Sequence, residues 1–584
     1  MRLRFAKKLT VLFGLGLLLS WQNAWQNAAP VSAQPIPTQP EAQPPSPTEP
    51  ALPPVEPIEP EKVPDPPPSP LEIDPTLPDL EASDAETDCL PLAESGEASF
   101  VASEIEVVGS TVLQAEIAQK VACYEGRQIT LSDLFSLRSQ ITQLYIENGY
   151  ITSGAFIPNN QFPEENLTVQ VIEGSLEEIQ ILGLSRLREG YVRSRIKRAD
   201  GPPLNQQRLQ SALQRLQLDP NIRQVNAELT AGNQPGQSLL ILNLKETKAL
   251  AVQTSTDNYR SPSIGSAGLN LSTSYRNLLG VGDVVSASYG LTEGLDLYDM
   301  RLAIPFNAAD GTISLGYSNS DSRIIEDDFE DVGIRSDTET ISVGIRQPIM
   351  QTPSEEIALG LDFDWRRSQS FILDDIPFSF SVGPEDGLSK ISALRFSQEW
   401  TKRDLQRVLA ARSQFNIGLD ILDATDNNTG TDGQFFSWIG QFQWVEQVSP
   451  RLLSLIRVNA QLTPDSLLPL ERFSLGGLST VRGYPQNQLV SDNAINASAE
   501  LRIPLTRNTN TLQLTPFIDG GYGWNNETPN AGTQFLLGTG VGLRWQATPN
   551  LFLRTDYGLA LTKVDNRGGS LQDNGLYFSV TYQP

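Results

Sequence analysis

The 584-residue chain contains no histidine and only two cysteines. Without histidine there is no Ser-His-Asp or Cys-His catalysis, no His-ligated metal and no imidazole proton shuttle. Two cysteines alone cannot build a zinc site. No Gly-x-Ser-x-Gly elbow and no P-loop pattern occurs. The expectation is therefore a protein that is not an enzyme, with no catalytic residue, no metal ligand and no cofactor. Positive charge is also scarce: 43 Lys and Arg face 69 Asp and Glu, a formal charge of −26. Phosphate binding needs a basic footprint, so nucleic acid is excluded as a partner. Long apolar runs are missing too. A membrane helix needs about 20 predominantly apolar residues, and the apolar run Leu9 to Ser20 has 12.

That run follows a basic start (Arg2, Arg4, Lys7, Lys8) and precedes Val31-Ser-Ala33, an A-x-A-like cleavage site. This is the layout of a secretory signal peptide, residues 1–33; an uncleaved anchor is the alternative. Export without a transmembrane helix leaves two fates, a soluble protein or a β-barrel in an outer membrane. In an exported chain an even cysteine count favours a disulfide, here Cys89 with Cys123, over two free buried thiols.

Residues 35–80 hold 18 prolines in 46 positions, and 34–88 carry 13 acidic residues against one lysine, Lys62. Proline blocks helix and ladder, and there is too little apolar matter for a core. Residues 34–88 read as an acidic, proline-rich, disordered linker. From residue 99 the pattern changes. "SFVASEIEVVG" alternates like a strand, Thr111 to Cys123 has helical spacing, and a second helix follows in "TLSDLFSLRSQITQLYIENG". There Thr130 and Asp133 form a capping-box pattern, and Leu134, Leu137, Ile141 and Leu144 share one face. Two strands, "YITSGAFIP" and "NLTVQVIEG", close a β-α-α-β-β unit. "EIEVVG" at 104–109 then recurs as "EIQILG" at 178–183, and the same order follows, which means two copies of one small module. The basic stretch "RLREGYVRSRIKR" in the second copy reads first as a solvated helix face.

From Leu250 to Pro584 the alternation is long and two-faced. Leu551, Leu553, Tyr557, Leu559 and Leu561 share one side of a strand, and Arg554, Asp556 and Gly558 the other. Leu537, Val541, Leu543 and Trp545 oppose Gly538, Gly540, Gly542 and Arg544. A soluble β-sandwich alternates similarly. Strands of about ten residues, aromatics near strand ends and the absence of helical segments favour a transmembrane barrel.

Several stretches resemble the transporters of two-partner (type Vb) secretion, the TpsB group of hemolysin and adhesin exporters, within the superfamily of POTRA-bearing outer-membrane barrels. "LYIENGYITSGAFIPNNQF" with "LTVQVIEGSLEEIQI" resembles the first POTRA domain, and "GPPLNQQRLQSALQRLQLDPNIRQVNAELTAG" the second. "TDNYRSPSIGSAGLNLSTSYRNLLGVGDVVSASYG" resembles the start of the barrel, and "LGGLSTVRGYPQNQLVSDNA" the superfamily's inward-folded sixth loop. The resemblance implies a mainly β chain: POTRA domain 1 at 89–174, POTRA domain 2 at 175–247, and a 16-strand antiparallel barrel at 250–584 with its inward loop near 473–493. It also implies that Arg482, within Val481-Arg482-Gly483-Tyr484, pairs with an acid on a later strand. Asp519 is the matching acid. Parity points it inward independently, since Gln513, Thr515, Phe517 and Asp519 share one face and Leu512, Leu514 and Ile518 the other.

The implied function is a pore that secretes one large partner protein, with POTRA domains in the periplasm binding the unfolded cargo. Outer-membrane lipids, and barrel-assembly machinery during biogenesis, are the further partners implied. A barrel-assembly or protein-import member of the superfamily is the alternative, though such proteins usually carry more POTRA domains. A passive porin or uptake receptor is the second, and diffusion needs no periplasmic domain.

Overall fold

A computed structural model describes residues 71–73, 99–158, 166–199, 201–326, 329–428, 430–527, 532–564 and 568–584. The expected signal peptide, Cys89 and all of the linker except 71–73 lie outside the described residues.

The first module contains helices α1 (Gln114–Val121) and α2 (Leu131–Glu147). Its opening stretch is two strands rather than the single one expected. Ser99–Ala102 pairs with Arg127–Thr130, whereas Glu104–Val108 runs parallel to Asn166–Ile172, beside Gly154–Phe156. The break at Ser103 lets one continuous stretch serve two sheets. The α2 capping box forms: Asp133 N donates to Thr130 Oγ1 at 3.2 Å and Thr130 N to Asp133 Oδ2 at 2.8 Å. Leu134, Leu137, Ile141 and Tyr145 bury the inner face of α2 against Ile105, Leu167 and Val169. Cys123, just past α1, is disulfide-bonded rather than free.

The second module repeats the order with α3 (Glu189–Lys197) and α4 (Gln206–Gln217) on a sheet of Ser175–Leu182, Gln237–Glu246 and Ile222–Ala231. The repeat extends to single hydrogen bonds. Glu173 accepts from the amides of Thr111 and Val112 at 2.6 and 3.2 Å, and from the Tyr145 hydroxyl at 2.9 Å. Glu246 accepts from the amides of Ser185, Arg186 and Leu187 at 2.7–2.9 Å. Burial pushes both carboxyls up, but these donors outweigh it and hold both below the ordinary value. The modules join through Asn205, whose side chain caps α4 and donates to Asn148 O at 3.0 Å. Within the expected linker, Leu71–Ile73 forms a strand parallel to Ile222–Ala231, so this part is not structureless. It is one of the few gaps between the prolines where backbone N–H groups are free to pair.

The remaining strands close into an antiparallel barrel of sixteen, numbered here β1 (Leu250–Asp257) to β16 (Leu576–Tyr582). β1 closes on β16 through Thr254–Tyr582 to Asp257–Ser579. The outward faces are apolar: Ile518, Val541, Leu543, Trp545, Tyr557 and Leu559 are all at least 40% exposed. No described helix is long and apolar enough to cross a membrane. Short turns mark one barrel end, and the second module docks there. Arg195 forks onto Asp310 (Nε 3.0 Å, Nη2 2.5 Å), Arg198 donates to Ala308 O at 3.0 Å, and the Arg188 amide donates to Gly280 O at 3.0 Å. Arg195 also stacks on Tyr191, 3.5 Å from the ring centroid. The basic stretch is thus not a solvated face. Half of it holds the module to the barrel turns, which present Asp310 and bare carbonyls as its counterparts.

Candidate functional site

The connection between β11 (Leu452–Leu462) and β12 (Asn493–Pro504) is the sixth at the barrel end opposite the modules, and it turns inward. A short antiparallel pair, Phe473–Leu475 with Leu489–Ser491, carries its tip into the lumen. Leu475, Val481 and Tyr484 are fully buried, packed with Phe473, Ala494 and Leu536. Gly483 adopts φ +101°, a region disfavoured for residues with a Cβ. The wall is built to receive it. A Cβ on Gly558 of β15 (Leu551–Ala560) would lie 2.5 Å from the Gly483 nitrogen, and one on Gly538 of β14 (Phe535–Thr548) would overlap the Arg482 carbonyl oxygen.

Arg482 is 0% exposed. Its Nε and Nη2 bind Asp519 of β13 (Leu512–Trp524) at 2.7 and 3.0 Å. Nη1 reaches Glu500 of β12 at 2.7 Å and Asp556 of β15 at 3.2 Å. The guanidinium lies over the Phe517 ring, 3.5 Å from the centroid. The Arg482 amide also donates to Asp519 Oδ2 at 3.1 Å. Around this core, Arg554 binds Asp556 at 2.6 Å and Arg502 binds Glu500 at 3.2 Å. The charges therefore nearly balance inside a water-poor wall, which is what a buried ionic cluster requires. Next to it, the Tyr577 hydroxyl of β16 donates to Tyr484 O at 2.5 Å and accepts from Gly483 N at 3.0 Å. The Tyr484 hydroxyl lies 2.9 Å from the carbonyls of Leu537 and Thr562 and accepts from the Thr562 amide at 3.0 Å.

All five residues expected of the loop and its partner, Val481, Arg482, Gly483, Tyr484 and Asp519, come together. The expected single pair is instead one guanidinium shared by three carboxylates. Glu500, Asp556 and Tyr577 were not foreseen as partners. The sequence does carry a signal for Asp556: it shares the inward face with Gly558, on a strand beside the glycine-rich inward face of Gly538, Gly540 and Gly542. Of the expected Cys89–Cys123 disulfide, Cys123 is bonded and Cys89 lies outside the described residues.

Residues 236–545 match the family described as haemolysin secretion/activation protein ShlB/FhaC/HecB, and residues 100–174 match the ShlB-type POTRA domain. The chain is 24% identical over 466 residues to the outer membrane transporter CdiB of Dickeya dadantii (strain 3937), covering 76% of this chain and 81% of that protein. It is 25% identical over 465 residues to CdiB of Escherichia coli, covering 76% of each. The solved structure of CdiB from Escherichia coli superposes with a TM-score of 0.64 at 22% identity, over 85% of this chain and 93% of that one, which shows a common fold. With more than half of its length matched, the chain belongs to the haemolysin secretion/activation family ShlB/FhaC/HecB, outer-membrane transporters of two-partner secretion with periplasmic POTRA domains, and not a family of enzymes.

Proposed function

We propose that this chain passes one specific, large, unfolded exoprotein across the outer membrane, and that the Arg482 cluster sets the loop in its transport-competent position. The observation that carries this reading is the fully buried Arg482 shared by Asp519, Glu500 and Asp556: an ionic clasp between a mobile type of element, a loop, and the inner wall of a barrel. A passive diffusion pore has no use for a loop so tied. Two modules beneath the barrel supply a receptor. In the first, Gly154–Phe156 has one sheet neighbour among the described residues, and on its other side an extended cargo segment can add by β-augmentation. The apolar outer face contacts outer-membrane lipid, and barrel-assembly machinery inserts the chain. Folding of the cargo outside gives the movement its direction.

The test is co-expression with a large exported protein encoded in a neighbouring gene, taken as the candidate cargo. Cargo should accumulate outside the cell with the intact transporter and stay in the periplasm without it. If its loss leaves that protein's export unchanged and instead depletes other outer-membrane barrels, the chain is an assembly factor and the secretion reading falls.

A further inference from the structure

Arg482 explains one end of the inward loop only. The root is held elsewhere, with the charges reversed. Glu471 closes the short turn Pro469–Glu471 and is 2% exposed. It lies between Arg395 of β8 (Leu388–Arg403) and Arg366 of β7 (Glu355–Ile372). Arg395 grips it with both terminal nitrogens, Nη2 to Oε1 at 2.7 Å and Nη1 to Oε2 at 3.1 Å. Arg366 Nη1 adds bonds of 3.2 Å to Oε1 and to the Leu470 carbonyl. Arg395 Nε is fixed in turn by Asp364 at 2.6 Å. Two arginines and two acids balance, each under a tenth exposed.

The two clusters grip different parts of the wall. β7 and β8 are separated from the Arg482 partners on β12, β13 and β15 by three strands in one direction and more in the other. The loop therefore spans the lumen, with an acid seated among arginines at its root and an arginine seated among acids at its tip. A buried ionic cluster adds little net stability over apolar packing, but it fixes geometry, and bidentate forks fix it best. We infer that Glu471 is a second positioning residue for secretion. It pins the root of the loop to the β7–β8 wall independently of Arg482, so that the loop leaves the lumen only when both ends let go.

This deepens the secretion reading, and the test is chosen to run without cargo. Purified full-length protein is placed in planar lipid bilayers, and the frequency of large current openings is read for wild type, Glu471→Gln, Arg482→Ala and the double variant. Heat-modifiable migration confirms that each barrel is folded. Glu471→Gln should raise opening on the order of tenfold, the effect of losing a buried charge-assisted hydrogen-bond contact, and Arg482→Ala, which leaves Asp519 buried without a cation, by about two to three orders of magnitude. Independent ends require the double variant to show the product of the two effects. Glu471→Asp keeps the charge but not the two-oxygen reach, and should fall between wild type and Glu471→Gln. Wild-type current from Glu471→Gln, or a double variant no more open than Arg482→Ala, overturns the proposal. If Glu471→Gln yields no folded barrel, Glu471→Asp is read in its place, and its failure to fold as well assigns Glu471 to folding alone. If the currents behave as expected but no cargo leaves cells, the secretion reading falls and the two-ended loop stands.

Discussion

Arg482→Ala empties a pocket in which one guanidinium serves three carboxylates, and the three do not lose equally. Glu500 keeps Arg502 at 3.2 Å and Asp556 keeps Arg554 at 2.6 Å. Among the described residues Asp519 takes its guanidinium bonds from Arg482 alone. It is left as a buried carboxylate without a cation, a loss of roughly 3–5 kcal/mol for the loop-in arrangement. At about 1.4 kcal/mol per tenfold, that moves loop occupancy by two to three orders of magnitude. Asp519→Ala takes the acceptor from the Arg482 amide and Nε but leaves no buried charge uncompensated, because Arg482 retains Glu500 at 2.7 Å, Asp556 at 3.2 Å and the Phe517 ring. Its cost is a charge-assisted contact, roughly 1.5–3 kcal/mol. In the double variant the stranded acid is gone as well, so it should be no worse than Arg482→Ala. The assay is cargo outside the cell at equal levels of folded barrel: Arg482→Ala lowest, Asp519→Ala mildest, the double variant between. Equal losses from the two single changes, or full addition of them in the double, would refute the shared-guanidinium account.

Other outcomes follow from the same packing. Gly538→Ala should leave the barrel folded but cut secretion, since its methyl overlaps the Arg482 carbonyl, whereas Gly520→Ala, with nothing nearer than 3.5 Å, is the matched control. Cys89 and Cys123 should be bonded to each other in the mature protein; loss of that bond should lower the first module's stability by roughly 3 kcal/mol, and thiol labelling of non-reduced, denatured protein should find neither cysteine free. Glu173 is held below its ordinary pKa, so its contribution is complete above the usual carboxylate range and disappears as pH falls through the lowered folded value. Protease resistance of the first module should show that acid-side loss, and Glu173→Gln should remove it while lowering resistance near neutrality.

The barrel and the modules were legible because alternation and helical spacing are local, repeated signals. Asp519 could be aimed inward by parity alone, as could Asp556. Two strands hidden in "SFVASEIEVVG" were not separable, because Ser103 is an ordinary strand residue and only the pairing partners reveal the break. Glu500 shares that parity, with Asn496, Ser498 and Arg502 opposite Ile495, Ala497, Ala499 and Leu501, but its pairing with Arg482 is not legible, and Glu471 lies in a loop without alternation. Which acids meet Arg482, and which arginines meet an acid eleven residues before it, depends on how the loop crosses the lumen, and no periodicity encodes that path. The docking of Arg195 was misread likewise: a charged helix face looks solvated until a turn carrying Asp310 is brought against it.

The seam between β1 and β16 bears on how the molecule comes to exist. Its four residue pairs, Thr254–Tyr582 to Asp257–Ser579, join positions more than 300 residues apart, whereas every other neighbouring pair among the sixteen follows their order along the chain. Asn258 knots that seam, donating to Leu576 O at 2.8 Å and accepting from the Phe578 amide at 2.7 Å. Hairpins can form as the chain arrives, but this closure has the largest loop entropy to overcome and few bonds to reward it. Closure of the barrel thus depends on its first and last strands meeting, and a chain shortened by its last hairpin should remain an open sheet with two unpaired edges.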